Sequence, residues 1–280
     1  MQKWQCRWAR SLGELEGSDQ DTWGTVPHTN PHLPCVWFGL YGLPDFYSLW
    51  SHPGTKAILW AGSDITHFVN GYWLDNEGKI KLDPFALAEW IDKNCQSYVE
   101  NHTEQARLLS MGIKSTVVPS FLGDVNAIEE CYVWSKRPKV YSSVSGDNFE
   151  MYGWDVIERI ADKCNVDFYL YGSNNWKTKH PNVHIQGRVP KERMNEDIEQ
   201  MQCGLRLNDF DGFSEVLAKS ILMAQHPISR IPYPHIDSYK NDEELIELLN
   251  NLVNKVDSNS VGRQYYLQTL NKFPWNDKNN

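Results

Sequence analysis

The feature that most restricts the fold of this chain is a recurring unit: a short, continuous apolar run, closed by a glycine or small polar loop and followed by a helical pattern. Cys35-Val-Trp-Phe-Gly39-Leu-Tyr-Gly42 is the first clear example, with a helix through Phe46, Leu49 and Trp50 behind it. Lys56-Ala-Ile-Leu-Trp-Ala-Gly62-Ser63-Asp64 repeats it. A run that is apolar at every position, rather than at every second one, suits a parallel strand covered on both faces, and strands alternating with helices make a parallel sheet. Ligands of open α/β sheets bind at the carboxyl ends of the strands. Asp64, at such an end, is therefore a candidate acid/base or acceptor-orienting carboxylate, the competing reading being an N-cap for the next helix.

The same pattern continues along the chain. A helix runs from Asp83-Pro84 through Trp90 and Ile91, a strand covers Ser97–Val99, a helix Glu104–Met111 stops at Gly112, and Ile113–Pro119 makes another strand. Residues 70–83 read as an exposed hairpin turning at Asn76-Glu77-Gly78, either plain surface or a contact for a second substrate. Regularity lapses after Pro119, and Lys136-Arg137-Pro138 supplies a linker, placing a domain boundary near 125–137.

The second half restarts with a strand at Lys139–Ser143, a polar loop Ser145-Gly146-Asp147-Asn148 and a helix Tyr152–Cys164. Strands follow at Val166–Gly172, Val183–Gly187, Gly204–Leu207 and Pro227–Ile231, with helices at 192–201, 214–224, 241–255 and 260–272. The expected organisation is thus an α/β chain of two Rossmann-like domains, 1–130 and 131–256, with a C-terminal helix in 257–280 that crosses back to the first. Residues 1–34, rich in Trp, Gly and Pro, are expected to be an irregular arm packing through Trp4, Trp8 and Trp23 without a strand of its own.

Charge and composition narrow the function. The 280 residues carry 27 basic and 36 acidic side chains, a net charge of −9, which argues against holding nucleic acid by phosphate neutralisation and against a polybasic membrane footprint. The six cysteines lie far apart with no Cys-x-x-Cys pair, so neither a zinc site nor a disulfide framework is indicated, and reduced thiols in a cytoplasmic, soluble protein are expected. No apolar run is long enough to span a membrane, and the N-terminus lacks a signal-peptide core.

The most chemically specific stretch is Arg206-Leu-Asn-Asp-Phe-Asp211-Gly212-Phe213-Ser214-Glu215, which sets an acidic, glycine-containing turn before an apolar helix. Ser214 is suited to cap that helix, and the unpaired N–H groups of its first turn, at the positive end of the helix dipole, are suited to an anion. Asp209-Phe210-Asp211 has the spacing of a metal-binding pair but lies inside this turn, and no metal is expected.

Four passages, in order, resemble the glycosyltransferases of the GT-B architecture, in particular the retaining, nucleotide-sugar-dependent group. Gln105-Ala-Arg-Leu-Leu-Ser-Met-Gly112-Ile113-Lys-Ser-Thr-Val-Val-Pro119 resembles the helix-Gly-Ile-strand-Pro passage closing that group's first domain. Tyr152-Gly153 stands where the group often has Lys-Gly. His180-Pro-Asn-Val-His-Ile-Gln-Gly187-Arg188-Val189 resembles its Asn-Val-x-x-x-Gly-x-Val strand, and the turn at 206–214 its phosphosugar-binding turn. The resemblance implies two Rossmann-like domains facing across a cleft and transfer of a sugar from a UDP- or GDP-linked donor to an unidentified acceptor, with retention and without metal or other cofactor.

By the same resemblance Asp211 is a candidate catalytic residue, alongside Asp64 from its place at a strand end. Gly39, Gly42, Ser145, Tyr171, Gly172, Arg188, Val189, Arg206, Gly212, Phe213, Ser214, Glu215 and Lys219 are candidates for donor binding, with backbone N–H groups of Gly39–Gly42 closing over the diphosphate. His67 and His102 are lesser candidates. The group's second Glu, which accepts from ribose hydroxyls, falls at Lys219, whose ammonium has no acceptor to offer and whose spacing suits a pair with Glu215 one turn back. A nucleotide-sugar-binding protein without turnover, and a sugar-nucleotide epimerase, are the alternatives.

Overall fold

The computed structural model describes residues 4–8, 25–70 and 83–275. It divides into two units: Met1–Asp124 with Phe210–Phe213 and Thr269–Asn280, and Val125–Asp209 with Ser214–Gln268. Each is built on a six-stranded parallel sheet with helices.

The first unit contains β1 (Gln5–Trp8), β2 (Val26–Pro27), β3 (Cys35–Phe38), α1 (Leu43–Ser51), β4 (Lys56–Leu59), α2 (Ser63–Val69), α3 (Pro84–Asn94), β5 (Cys95–Val99), α4 (His102–Leu109) and β6 (Thr116–Val117). Its strand order is β2-β1-β3-β4-β5-β6. All four residues of β3 are buried, because alternate side chains feed two different layers. Cys35 and Trp37 join Ile58, Trp60 and the helical residues Phe46, Leu49, Ile65 and Leu108. Val36 and Phe38 join Ala57, Leu59, Val118, Phe273 and Trp275.

Two expectations change here. The N-terminal segment does contribute strands, and β1 sits between β2 and β3. Its pattern hides this because Gln5 is fully buried, its amide satisfied by donating to the Asn30 carbonyl at 2.7 Å and accepting from the Thr29 and Asn30 N–H groups at 2.6 and 2.8 Å. Trp4 lies 5.7 Å from Trp275 between ring centroids, whereas Trp23, the side chain of Trp8 and the expected hairpin at 71–82 are outside the described residues. The chain segment after the last helix, rather than the helix itself, packs in the first unit, with Phe273 and Trp275 stacked at 4.7 Å. It gets there through Asn271, whose backbone has φ 58° and whose amide exchanges two 2.8 Å hydrogen bonds with the Phe121 backbone, ending the helix earlier than its apolar pattern suggests.

The second unit contains β7 (Lys139–Ser143), α5 (Trp154–Ile160), β8 (Asp167–Tyr171), β9 (Val183–Gly187), α6 (Lys191–Ile198), β10 (Cys203–Arg206), α7 (Glu215–Leu222), β11 (Ile228–Ser229), β12 (Asp237–Ser238), α8 (Asp242–Asn251) and α9 (Ser260–Thr269). Its strand order is β12-β11-β10-β7-β8-β9. The two-residue β12 has no counterpart in the sequence reading, since so short an edge strand carries no period. From β7 the chain adds β8 and β9 on one side, then returns to add β10 on the other. The order therefore reverses between β7 and β10, and the crevice at the carboxyl ends of those two strands is the topological switch point. All six cysteines are free.

Candidate functional site

Two clusters gather most of the residues singled out by sequence. The first is the switch point of the second unit. β7 leads into the exposed loop of Ser145, and β10 ends at Arg206, whose guanidinium lies over the Tyr152 ring at 4.5 Å. Gly153, the residue before α5, is pressed against the Leu207 side chain, so close that a Cβ there would overlap it. Tyr152-Gly153 and Arg206-Leu207, 54 positions apart in sequence by the difference of their numbers, are thus brought together at the mouth of the crevice. Asp209 forms an ion pair with Arg230, which removes it from any paired-aspartate role. Ser214 caps α7 as expected, its hydroxyl accepting from the Leu217 N–H at 3.4 Å. Lys219 is buried and pairs with Glu215 at 3.2 Å, the contact that their four-residue spacing favours.

The second cluster lies in the first unit, at the carboxyl ends of β4 and β5, and sequence reasoning missed most of it. Glu100 and Glu104 are 8% and 0% exposed, and Asp64 is 0% exposed. Glu100 and the neighbouring Asn101 hold residues 211–213 in place. Glu100 accepts from the Phe213 N–H at 2.9 Å and from the Ser120 hydroxyl. Asn101 donates its side-chain amide to the Asp211 carbonyl at 2.8 Å, while its oxygen caps α4 by accepting from the Glu104 N–H at 2.9 Å. Glu104 in turn accepts from the Glu100 N–H at 2.7 Å, and its other oxygen is buried without a hydrogen-bond partner. Gly212 is required because the Glu100 carboxylate fills the place of a Cβ. The available signal was a polar pair directly after a strand: Glu100-Asn101 follows β5, and Asn101-x-x-Glu104 has capping-box spacing.

Burial dominates the protonation of this cluster. Desolvation pushes the Asp64 carboxyl up to about 7, against the pull of backbone hydrogen bonds, and the Glu100 carboxyl up to about 8. Glu104 is raised well above the ordinary carboxylate range, by burial first and by the nearby Glu100 charge second. A trio of carboxyls in one dry place holds protons that isolated carboxylates would lose.

Asp64 itself is neither an accessible acid nor an N-cap. The cap position of α2 is Gly62, and Asp64 accepts from the N–H groups of Leu40, Ala61 and Ile65 at 2.9, 3.0 and 2.8 Å. It ties the loop after β3 to the loop after β4. The expected cradle of N–H groups at Gly39–Gly42 is likewise largely committed: Gly39 donates to the Leu59 carbonyl, Leu40 to Asp64 and Tyr41 to Asp45. Gly42 is the cap residue of α1. Tyr171 is buried in an apolar cluster that Val189 packs against, its hydroxyl 3.4 Å from Asp197, and Gly172 bonds to the Gly187 carbonyl. Arg188 is exposed, with no ion-pair partner among the described residues. His67 and His102 are exposed. Among the described residues, no three His, Cys, Asp or Glu side chains are grouped to hold a metal ion, and no helix is long and apolar enough to cross a membrane.

No family model matches the sequence, and no curated protein does. Solved structures do match its fold. A variant of TarM from S. aureus, in complex with fondaparinux, α-GlcNAc-glycerol and UDP, gives a TM-score of 0.60 at 12% identity over 85% of this chain and 53% of that one. Sucrose-phosphate synthase from Thermosynechococcus elongatus gives 0.59 at 10% identity over 84% and 69%. HepE from Anabaena, in complex with UDP-glucose, gives 0.53 at 9% identity over 95% and 94%. The chain spans about half the length of the TarM structure. At such identities the likeness is one of fold, and the fold shown is GT-B, with two Rossmann-like units on parallel sheets.

Proposed function

We propose that this chain is a glycosyltransferase that moves a sugar from a nucleoside diphosphate sugar to an acceptor, the second unit holding the donor and the first unit serving the acceptor. The observation that carries the reading is the switch point between β7 and β10, where Arg206 and the capped start of α7 stand at the strand ends of a GT-B chain. A departing nucleoside diphosphate gains negative charge, and preorganised N–H donors with a cation stabilise it. The first-turn amides of α7, ahead of the Leu217 N–H that Ser214 takes, and the Arg206 guanidinium are assigned that task. Asp211 is assigned to the sugar hydroxyls, and Ser145 and Arg188 are assigned to donor binding. Asp64 acts by fixing loops rather than by exchanging protons. UDP is favoured over GDP because two of the similar structures carry UDP or UDP-glucose. Retention, independence of metal and a cytoplasmic setting complete the reading.

One observation favours a second reading, a nucleotide-sugar-binding protein without turnover: Lys219, locked to Glu215, offers no acceptor to a ribose. Incubation of the full chain with a panel of UDP- and GDP-sugars and candidate acceptors, following nucleotide release and sugar transfer, separates the two. Turnover with transfer supports the enzyme, and binding with no turnover supports the alternative. Asp211→Ala is expected to abolish turnover while leaving the melting temperature nearly unchanged. Undiminished activity in that variant would refute the site assignment.

A further inference from the structure

Arg206 and Tyr152 belong to opposite faces of the second unit's sheet. Side chains alternate along β7 and β10. Val140, Cys203 and Leu205 enter the layer of Trp154 and Ile157 from α5. Tyr141 enters the layer of Val216 and Met223, and a Cβ on Gly204 would meet Ser220 and Val216 of α7. Arg206, two residues beyond Gly204, therefore leaves β10 on the α7 side, whereas Tyr152 packs on the α5 layer. The guanidinium nevertheless lies over the Tyr152 ring at 4.5 Å. To reach it the side chain must cross the carboxyl edge of the sheet. Gly204 pairs with Tyr141, so Arg206 comes level with Ser143, the last residue of β7. The cation is thus laid across the β7/β10 switch point.

The ring is held by its own chain segment. Tyr152, Gly153 and Trp154 donate their N–H groups to the Asn148, Glu150 and Phe149 carbonyls at 3.2, 3.0 and 3.0 Å, closing a run of turns ahead of α5. Gly153, with φ 71°, is pressed onto Leu207, so a larger residue there would push the segment off β10. A long side chain that meets an anion must give up rotamer freedom, and stacking removes part of that freedom in advance. The ring takes one face of the guanidinium plane, and the N–H donors, which lie in that plane, keep the fork that matches paired phosphate oxygens.

We infer that Tyr152 is a positioning residue: its ring aims the Arg206 guanidinium along the switch point, so that the N–H fork meets oxygens of a nucleoside diphosphate. The diphosphate rests on the transferase reading, while the clamp rests on the geometry of the two side chains. Tyr152 acts through Arg206, and its hydroxyl has no part in the clamp.

Phenylglyoxal, which modifies guanidinium groups, reports on both halves of the inference. The full chain is treated with it and Arg206 modification is timed by peptide mass spectrometry, alone and over a range of UDP or inorganic pyrophosphate concentrations. Without ligand, Tyr152→Leu is expected to be modified about threefold faster than the wild type, because the covered face is opened. UDP and pyrophosphate are expected to protect Arg206 in the wild type. The concentration giving half-protection should rise about tenfold in Tyr152→Leu, the size of effect that a partly desolvated cation–π contact supplies. Tyr152→Phe, which returns the ring without its hydroxyl, should restore it to within about twofold. Tyr152→Met, apolar but without a ring, should follow Tyr152→Leu and takes its place if the leucine variant melts early.

Half-protection unchanged without the ring, a phenylalanine variant no better than the leucine one, an unliganded rate indifferent to the ring, or no protection by either ligand overturns the inference. Turnover of a sugar nucleotide alongside any of these leaves the transferase standing. Ring-dependent protection with no turnover on any sugar nucleotide refutes the transferase and leaves the clamp in place.

Discussion

Replacing Glu100 by Gln tests whether the buried carboxyls of the first unit hold their protons. Glu100 accepts from the Phe213 N–H and from the Ser120 hydroxyl, and a glutamine oxygen can keep the first bond while the hydroxyl turns to accept from the new amide. The variant is thus a permanent copy of the protonated acid. Because burial raises the folded carboxyl from the ordinary 4.5 to about 8, the folded chain binds a proton that the unfolded chain loses as pH rises through 4.5. The stability supplied by that proton is complete below pH 4.5 and is lost progressively up to about pH 8. At about 1.4 kcal/mol for each pH unit the loss is on the order of a few kcal/mol, divided between Glu100 and the adjacent Glu104 carboxyl, against the roughly 5–15 kcal/mol typical of a domain. Urea denaturation of both proteins from pH 4.5 to 8.5, with hydrogen exchange at the Phe213 amide as a local readout, measures it. The variant should match the wild type near pH 5 and exceed it by up to a few kcal/mol at pH 8. His28, His52 and His226, whose burial lowers them, act in the opposite direction, with stability lost as pH falls below about 6.5, but equally in both proteins. Parallel pH profiles, or a variant less stable at pH 8 than the wild type, would refute the argument.

Asn101→Ala removes both the cap of α4 and the bond to the Asp211 carbonyl. A loss of about 1–2 kcal/mol is expected in urea denaturation, with faster exchange at the Glu104 amide. Gly172→Ala places a Cβ onto the Val144 carbonyl at a residue whose φ is +108°, and should cost roughly 1–3 kcal/mol or more, read as a lowered melting temperature. Leu205→Ala, at a fully buried position of β10, should cost about 2–5 kcal/mol by the same measurement.

The sequence made the parallel sheets legible because burial on both faces leaves no alternation: Cys35–Phe38 is apolar throughout, and each of its residues is buried. Helix starts were legible where a side chain makes the cap, as Ser214, Asp83 and Asn241 do. β1 was hidden by a buried glutamine, whose polarity reads as surface until its three backbone partners near residue 30 are known. The acid cluster was hidden for a related reason. Glu100 and Glu104 look like solvated charges in sequence, and only the approach of Phe213, 113 positions away, turns one of them into a hydrogen-bond acceptor in a dry interior.

That approach also alters what the acidic turn does. In sequence, Asp211-Gly212-Phe213 is a cradle whose glycine lets backbone N–H groups reach an anion. In the structure the Phe213 N–H belongs to Glu100, the Gly212 N–H lies 3.0 Å from the Asp211 carboxylate, and the space beside Gly212 is filled by a carboxyl. The turn's N–H groups at Gly212 and Phe213 are thus directed at carboxyl oxygens of the chain itself. On the donor reading, positive character must therefore come from the second unit, from Arg206 and the first turn of α7. The glycine serves the fit of Glu100, whose carboxyl occupies the place of its missing Cβ.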